Sequence, residues 1–279
     1  MPGKLVLVGT PIGNLEDVSA RALRILGEAD LVACEDTRRT RKLLAHYGVH
    51  VRELVVYNDV NERREARALL ERLARGSTLA LVSDAGMPGL SDPGYRLVEA
   101  CVEAGVPVEV VPGPNAAVSA LAVSGLPPAT FVFEGFLPRK PGPRSRRIEE
   151  LVAERRTIVL YESPHRVEAT LAALIDGLGD RRAALARELT KLHEEVRRGS
   201  LQTLLEGVRD APPKGEIVLV VEGAVRSSRP EVAPSELAAA ARALMEEGLS
   251  RAEAMSRTAK EAGVARKKVF DALLDGPPG

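Results

Sequence analysis

The residues of this chain best suited to chemistry sit in a few glycine-, proline- and acid-rich segments. The first, GTPIGNLED (9–17), carries Gly9 and Gly13, which permit tight turns and close backbone approach to a ligand. ACEDTRRT (33–40) places Glu35 and Asp36 where a ribose-binding acid sits in a dinucleotide fold. The glycine spacing is G-x-x-x-G rather than G-x-G-x-x-G, and prolines interrupt it, which argues against that fold. SDAGMPGLSDPG (83–94) holds three glycines, two prolines and two aspartates, far more than a simple connection needs. VVPGPNAAVSA (110–120) runs straight into a helix. Pro114 suits its first turn, and free amides at a helix start attract a carboxylate or phosphate. YESPHR (161–166) packs Glu162, His165 and Arg166 into one turn. RELTKLHEE (187–195) and PKGE (213–216) add Arg187, Glu188 and Lys191, a set that also reads as a solvated charge run.

These segments lie at the ends of apolar runs. LVLVG (5–9), LVAC (31–34), ELVVY (53–57), TLALVS (78–83) and PVEVV (107–111) read as strands. Helices are expected over 18–29, 37–46, 61–74, 93–104 and 114–124. Strands and helices alternating at this rhythm predict a mainly parallel sheet covered on both faces, with ligands bound beyond the strands' carboxyl ends. SGLPP (124–128) closes a first domain, 1–125. A second, 126–226, carries strands near 131–135, 157–163, 182–189, 195–200 and 216–223, with helices near 145–154, 165–176 and 201–207. It reads as α+β with an antiparallel component. RSSRPEVAPS (226–235) is a polar linker, and 232–279 reads as three short helices, with Ser235 and Ser250 as N-caps and Gly248 and Gly263 as stops. This last part reads equally as a helix-turn-helix-like unit and as a packing or dimerisation appendage.

Composition excludes several classes. Two cysteines, Cys34 and Cys101, without a CxxC, argue against a disulfide framework and fit a cytoplasmic protein. The four histidines lack ligand spacing, so no metal is expected. No run approaches the roughly 18 apolar residues of a membrane span, and MPGKLVLVGTPIG lacks a signal-peptide layout. Basic and acidic residues balance, 39 against 39, which argues against non-specific coating of nucleic acid. Two basic stretches stand out locally. PRKPGPRSRR (138–147) reads as a mobile loop bearing Arg139, Lys140, Arg144, Arg146 and Arg147; Arg266, Lys267 and Lys268 begin the last helix. Aromatic residues make up 3%, so base-stacking platforms are expected to be scarce.

GTPIGNLED, ACEDTRRT, LVSDAGMPGLSDPGY, VPGPNA, FEGFLPRK, YESPHR, RELTK and KGE occur in this order. Together they resemble the ribosomal RNA small-subunit methyltransferase I family, of the tetrapyrrole methylase superfamily, the α/β class III fold of S-adenosyl-L-methionine enzymes. The resemblance spans nearly the whole chain. It implies 2′-O-methylation of a cytidine in the decoding region of 16S rRNA, as free RNA or within the assembled small ribosomal subunit, by a homodimer. It also implies a cofactor cleft between the first two domains, built from Pro11, Ser83, Asp84, Ala85, Gly86, Ser91, Asn115, Ala116, Tyr161, Leu189 and Gly215. The family usually has Ser after PGP, where this chain has Asn115.

Methyl transfer from a sulfonium needs no metal, but a 2′-hydroxyl is a poor acid and a general base would help. Glu35, Asp36, Glu162, His165 and Lys191 are candidates, with a carboxylate at 35, 36 or 162 preferred. Arg38 and Arg166 could fork a phosphate. Two rivals stay open, a tetrapyrrole methylase and a non-enzymatic RNA-binding module. The basic stretches favour RNA over a small macrocycle, and the elaborate loops at 9–17 and 83–94 favour an enzyme.

Overall fold

The computed structural model of the protein describes residues 3–224, 233–262 and 266–275, without the side chains of Lys260, Lys267 and Asp275. The chain begins β1 (Lys4–Val8), α1 (Ala20–Glu28), β2 (Leu31–Cys34), α2 (Thr37–His46) and β3 (Leu54–Val56). It continues α3 (Glu62–Ala74), β4 (Thr78–Leu81), α4 (Tyr95–Glu103), β5 (Val108–Val111) and α5 (Ala116–Ser124). The strands form one parallel sheet of order β3-β2-β4-β1-β5. Their alternating residues are apolar on both faces. Leu5, Leu31, Ala33, Leu79 and Leu81 pack beneath Leu69 and Leu73 of α3 and Leu97 of α4. Val6, Val8, Val32 and Ala80 pack beneath Ala22 and Leu26 of α1 and Leu44 of α2. Burial on both faces is why these strands read as unbroken apolar runs. Since β1 and β4 are neighbours, the loops leaving their carboxyl ends lie side by side. Thr10 and Gly86 tie them, each amide donating to the other's carbonyl, at 2.9 and 3.1 Å.

Then come β6 (Phe131–Phe136), α6 (Pro141–Glu150), β7 (Thr157–Glu162), α7 (Val167–Leu178), β8 (Arg182–Arg187), β9 (Glu195–Ser200), α8 (Leu201–Asp210) and β10 (Ile217–Val221). The second sheet has order β6-β7-β10-β8-β9 and is parallel only between β6 and β7. One face packs on Ile148 of α6, Leu171 and Leu174 of α7 and Leu204 of α8. The other, through Val159, Ala184, Val218 and Val220, packs on Ala117, Ala120 and Leu121 of α5. Helix α5 therefore follows the first sheet along the chain but buries its apolar face against the second.

The structure corrects four local expectations. The basic stretch 138–147 is not a loop: from Pro141 onward it forms α6, with proline in the first turn, where its missing N–H would have no helical partner anyway. Helix α4 starts at Tyr95 rather than 93, because Gly94, at φ +148°, still belongs to the preceding loop. Helix α5 starts at Ala116 and is capped by Asn115, whose side chain accepts from Val118 N, so Pro114 lies outside it. Ser235 is not an N-cap; the helix begins one residue earlier, at Pro234.

By internal contacts the chain divides into two compact units, 1–225 and 226–279. The second holds α9 (Pro234–Glu246), α10 (Arg251–Ala262) and α11 (Arg266–Asp275) around Leu237, Ala241, Met255 and Val269. Ser250 and Glu253 form a reciprocal capping box at the start of α10, and Gly248, at φ +98°, ends α9. Gly263 and the expected boundary between 226 and 232 lie outside the described residues. No helix among the described residues is long and apolar enough to cross a membrane.

Candidate functional site

A cavity of about 240 Å³ opens at the carboxyl ends of the first sheet and is closed from the other side by the second. From the first sheet it takes Ile12 after β1, Glu35 after β2, Arg39 of α2, the loop residues Asp84 to Met87 and Leu90 to Asp92, and the start of α5. From the second it takes Phe136, Tyr161, Glu162 and Glu216 to Val218. Glycine is required where these loops cross. A Cβ on Gly9 would meet Gly113 Cα at 2.6 Å, so the backbones after β1 and β5 are in direct contact. Gly86 holds φ +82°, a conformation that L side chains rarely adopt, and Ser91 adopts φ +63° as a non-glycine residue.

Of the residues expected around a cofactor, Asp84, Ala85, Gly86, Ser91, Asn115, Ala116 and Tyr161 line this cavity. Pro11, Ser83, Leu189 and Gly215 do not. Ser83 is buried beneath the loop, with its hydroxyl 3.2 Å from Ala85 O and 3.3 Å from Gly86 O. Leu189 belongs to the apolar core beneath α5. Pro11 is buried, and Gly215, at φ +85°, turns the chain into Glu216.

The three carboxylates expected to act as bases have different surroundings. Asp36 caps α2, accepts from Arg38 N at 2.8 Å and is chelated by the Arg38 guanidinium, which holds its pKa down at about 2. It is not among the residues that line the cavity, and Arg38 is its partner. Glu162 is buried at the cavity wall, but its carboxylate accepts from Ser163 N at 2.8 Å and Thr170 Oγ1 at 2.7 Å and pairs with Arg166 at 3.4 Å. Arg166 also donates to Leu137 O, so it ties the residue after β6 to the start of α7. Glu35 lines the cavity, accepts from Asp84 N at 2.9 Å and has its pKa raised, chiefly by burial. His165 is exposed away from the lining, and Lys191 is shared between Glu188 and Glu216.

Sequence reasoning passed over Asp92. Its carboxyl lies in the cavity with its pKa pushed up to about 7, first by burial and then by the negative charge of Glu35, with smaller contributions from Asp84 and Asp59. The Ser83 hydroxyl bonds it and opposes the rise. The signal available was its place beside Ser91 in the loop that also supplies Asp84. Sequence reasoning also missed an aromatic rim. Tyr161 packs edge-on to Phe133 at 5.0 Å and tilted against Phe136 at 5.6 Å, and Phe136 remains 55% exposed. Few aromatics in the chain did not prevent three from gathering here.

Of the basic residues, Arg139, Lys140 and Arg146 are exposed around the start of α6. Arg147 is held by Glu134 and Glu150, and Arg144 is partly buried. Arg266 and Lys268 are exposed on α11, and the Lys267 side chain lies outside the described residues.

The tetrapyrrole (corrin/porphyrin) methylase family model matches residues 4–205. A ribosomal RNA small subunit methyltransferase I from Synechocystis is 45% identical over 274 residues, covering 98% of each chain. Proteins of the same name from Thermotoga maritima and Escherichia coli O157:H7 are 48% and 42% identical, covering 79% and 98% of this chain and 99% and 95% of their own. Among solved structures, a uroporphyrin-III C-methyltransferase from Thermus thermophilus superposes with TM-score 0.55 at 28% identity, over 78% of this chain and 94% of its own. Diphthine synthase superposes with TM-score 0.60 at 18% identity, over 79% and 90%, a likeness of fold. Paired sheets, ligand loops at the first sheet's carboxyl ends and full-length similarity converge: the chain belongs to the ribosomal RNA small subunit methyltransferase I family, S-adenosyl-L-methionine-dependent methyltransferases of the tetrapyrrole methylase fold.

Proposed function

We propose that this protein methylates the 2′-hydroxyl of a cytidine in the decoding region of 16S rRNA, presented as free RNA or in the small ribosomal subunit. It would act in the cytoplasm as a homodimer. The observation that carries the reading is the makeup of the cavity and its rim. Apolar Ile12, Ala116 and Val218 suit an adenine ring, while Glu35, Asp84 and Asp92 suit the sulfonium and ammonium cations of S-adenosyl-L-methionine. Exposed Phe136 on the rim offers a face for one nucleobase, and the basic residues Arg139, Lys140 and Arg146 follow it in the chain. This order suits a single splayed nucleotide in the cavity with its flanking phosphates outside. The acidic wall would repel a phosphate and so favours the sugar over the backbone.

The cofactor, when bound, supplies a methyl group already activated as a sulfonium. The loops tied by Thr10 and Gly86 fix its position, and the second sheet closes over it and excludes water. Alignment of hydroxyl and methyl accounts for about 7–11 kcal/mol of barrier reduction. Arg139, Lys140 and Arg146 hold RNA backbone, so affinity falls with salt, by roughly 0.7 in log–log slope per phosphate contact on a single strand.

Mass spectrometry of 16S rRNA from a strain lacking the gene, before and after complementation, tests the reading. A ribose methyl on one decoding-region cytidine should vanish and return. Unchanged rRNA in the deletion strain would overturn it. So would turnover of a macrocycle in place of RNA.

A further inference from the structure

We infer that Asp92 is the catalytic base of this site, taking the proton from the attacking ribose hydroxyl, and that the positive charge of the methyl donor holds Asp92 in its ionised form. The inference rests on the methylation proposed above and adds to it the proton's destination.

The cavity carboxylates separate by what already holds them. Glu162 has two hydrogen-bond donors and Arg166. Asp84 accepts from Asp36 N at 3.3 Å and pairs with Arg39 at 3.2 Å. Glu35 likewise enters no salt bridge among the described residues, but it accepts from a backbone amide, Asp84 N, and the charge of Arg39 opposes the rise of its pKa. Glu216 shares Lys191. Among the described residues, Asp92 enters no salt bridge with a lysine, arginine or histidine, and its hydrogen-bond partner is the Ser83 hydroxyl. It is set in the cavity by a loop whose preceding residue, Ser91, is held at positive φ and whose Gly94 amide is anchored on Glu62 at 3.1 Å. The charged groups facing it are Glu35 after β2, Asp84 in its own loop and Asp59 after β3. Arg39 of α2 also lines the cavity, paired to Asp84, and Tyr161 of β7 faces it from the second sheet. The net surroundings are negative, so Asp92 lacks a cation that the bound methyl donor would bring.

The charge balance follows. Before transfer, an Asp92 carboxylate faces a sulfonium. The ribose oxygen forms a bond to the methyl carbon, and the carbon–sulfur bond breaks with its electron pair left on sulfur. The hydroxyl proton passes to Asp92 Oδ. One positive and one negative charge disappear together, leaving a neutral acid beside a neutral thioether. With no cation present, Asp92 titrates near neutrality, at about 7, so the acid form is accommodated after turnover. Binding the next cation expels that proton.

Calorimetry on the full chain at pH 7, in two buffers of different ionisation enthalpy, reads the proton directly. Wild type should release about half a proton per S-adenosyl-L-methionine bound and close to none with S-adenosylhomocysteine, which lacks the charge. Asp92→Asn should bind S-adenosyl-L-methionine more weakly, bind S-adenosylhomocysteine nearly as before, and lose the release. Its kcat on small ribosomal subunits should fall about 10²–10⁴-fold with KM for the subunit little changed, and the rise with pH of kcat/KM for S-adenosyl-L-methionine should flatten. Wild-type turnover in Asp92→Asn would overturn the assignment. So would proton release that persists in that variant and disappears in Glu35→Gln. A wild-type chain that binds no S-adenosyl-L-methionine would instead overturn the proposed function itself.

Discussion

The two walls of the cavity handle negative charge in opposite ways. On the second-sheet wall both lining acids are answered: Glu162 by Arg166 and Thr170, and Glu216 by Lys191. On the first-sheet wall Glu35, Asp84 and Asp92 crowd together, with Arg39 paired to one of them. Neutralised acids hold the fold together. Burial and neighbouring acids raise the pKa of Glu35 and Asp92 and weaken the fold until a cation arrives, as befits a ligand site. One wall is built for stability and the other for binding, although both stand at strand ends and both look acidic in the sequence.

The contrast breaks first at Arg166. Arg166→Ala leaves the Glu162 carboxylate buried without its cation and should cost about 3–5 kcal/mol in urea unfolding. A loss under about 1 kcal/mol would mean that the second wall is not held by this pair.

A smaller effect of opposite sign is expected on the first wall. Burial and neighbouring acids raise Asp92 from its usual value of 3.8 to about 7. Between those values the folded chain binds more protons than the unfolded one, so this group's contribution to stability falls as pH rises through that window. Asp92→Asn should therefore be stabilising, by on the order of 1 kcal/mol at pH 8 and nearly nothing at pH 4. Thermal melts across that range measure it, and an equal gain at both pH values would contradict the crowding.

The smallest effect concerns Asn115. Asn115 acts as an N-cap through Val118 N at 3.0 Å, and a serine hydroxyl can accept the same bond. Asn115→Ser should change stability by no more than a few tenths of a kcal/mol and leave cofactor affinity within about twofold, whereas Asn115→Ala should cost about 1 kcal/mol. A tenfold affinity loss in the serine variant would give the amide a direct role at the ligand.

Much of this was legible in the chain. Strands β1 to β5 stand where their apolar runs are, and α2 spans the residues expected of it, because periodicity and Asp36 at its start are local signals. Only the start of helix α6 was hidden, by prolines and a glycine that suit a helix's first turn as well as a loop; a helix near 145–154 was legible. The loops of the site could be located by glycine and proline, but the division of roles among their acids could not. Arg166 looked like a phosphate ligand and Glu162 like a base; each is the other's partner.

Local signals in the chain set the order of elements, the family and most of the segments that line the cavity, since turn chemistry and apolar periodicity act over a few residues. Folding in three dimensions set the rest: α5 packs on the second sheet, Phe133 and Phe136 pack on Tyr161, and Asp92 is a cavity carboxyl with neither a salt bridge nor a backbone donor among the described residues. The reason is physical: desolvation and Coulomb interactions act through space. Asp84 comes from the same loop, but Glu35 and Asp59, which also raise Asp92, arrive from the ends of β2 and β3, far from it along the chain.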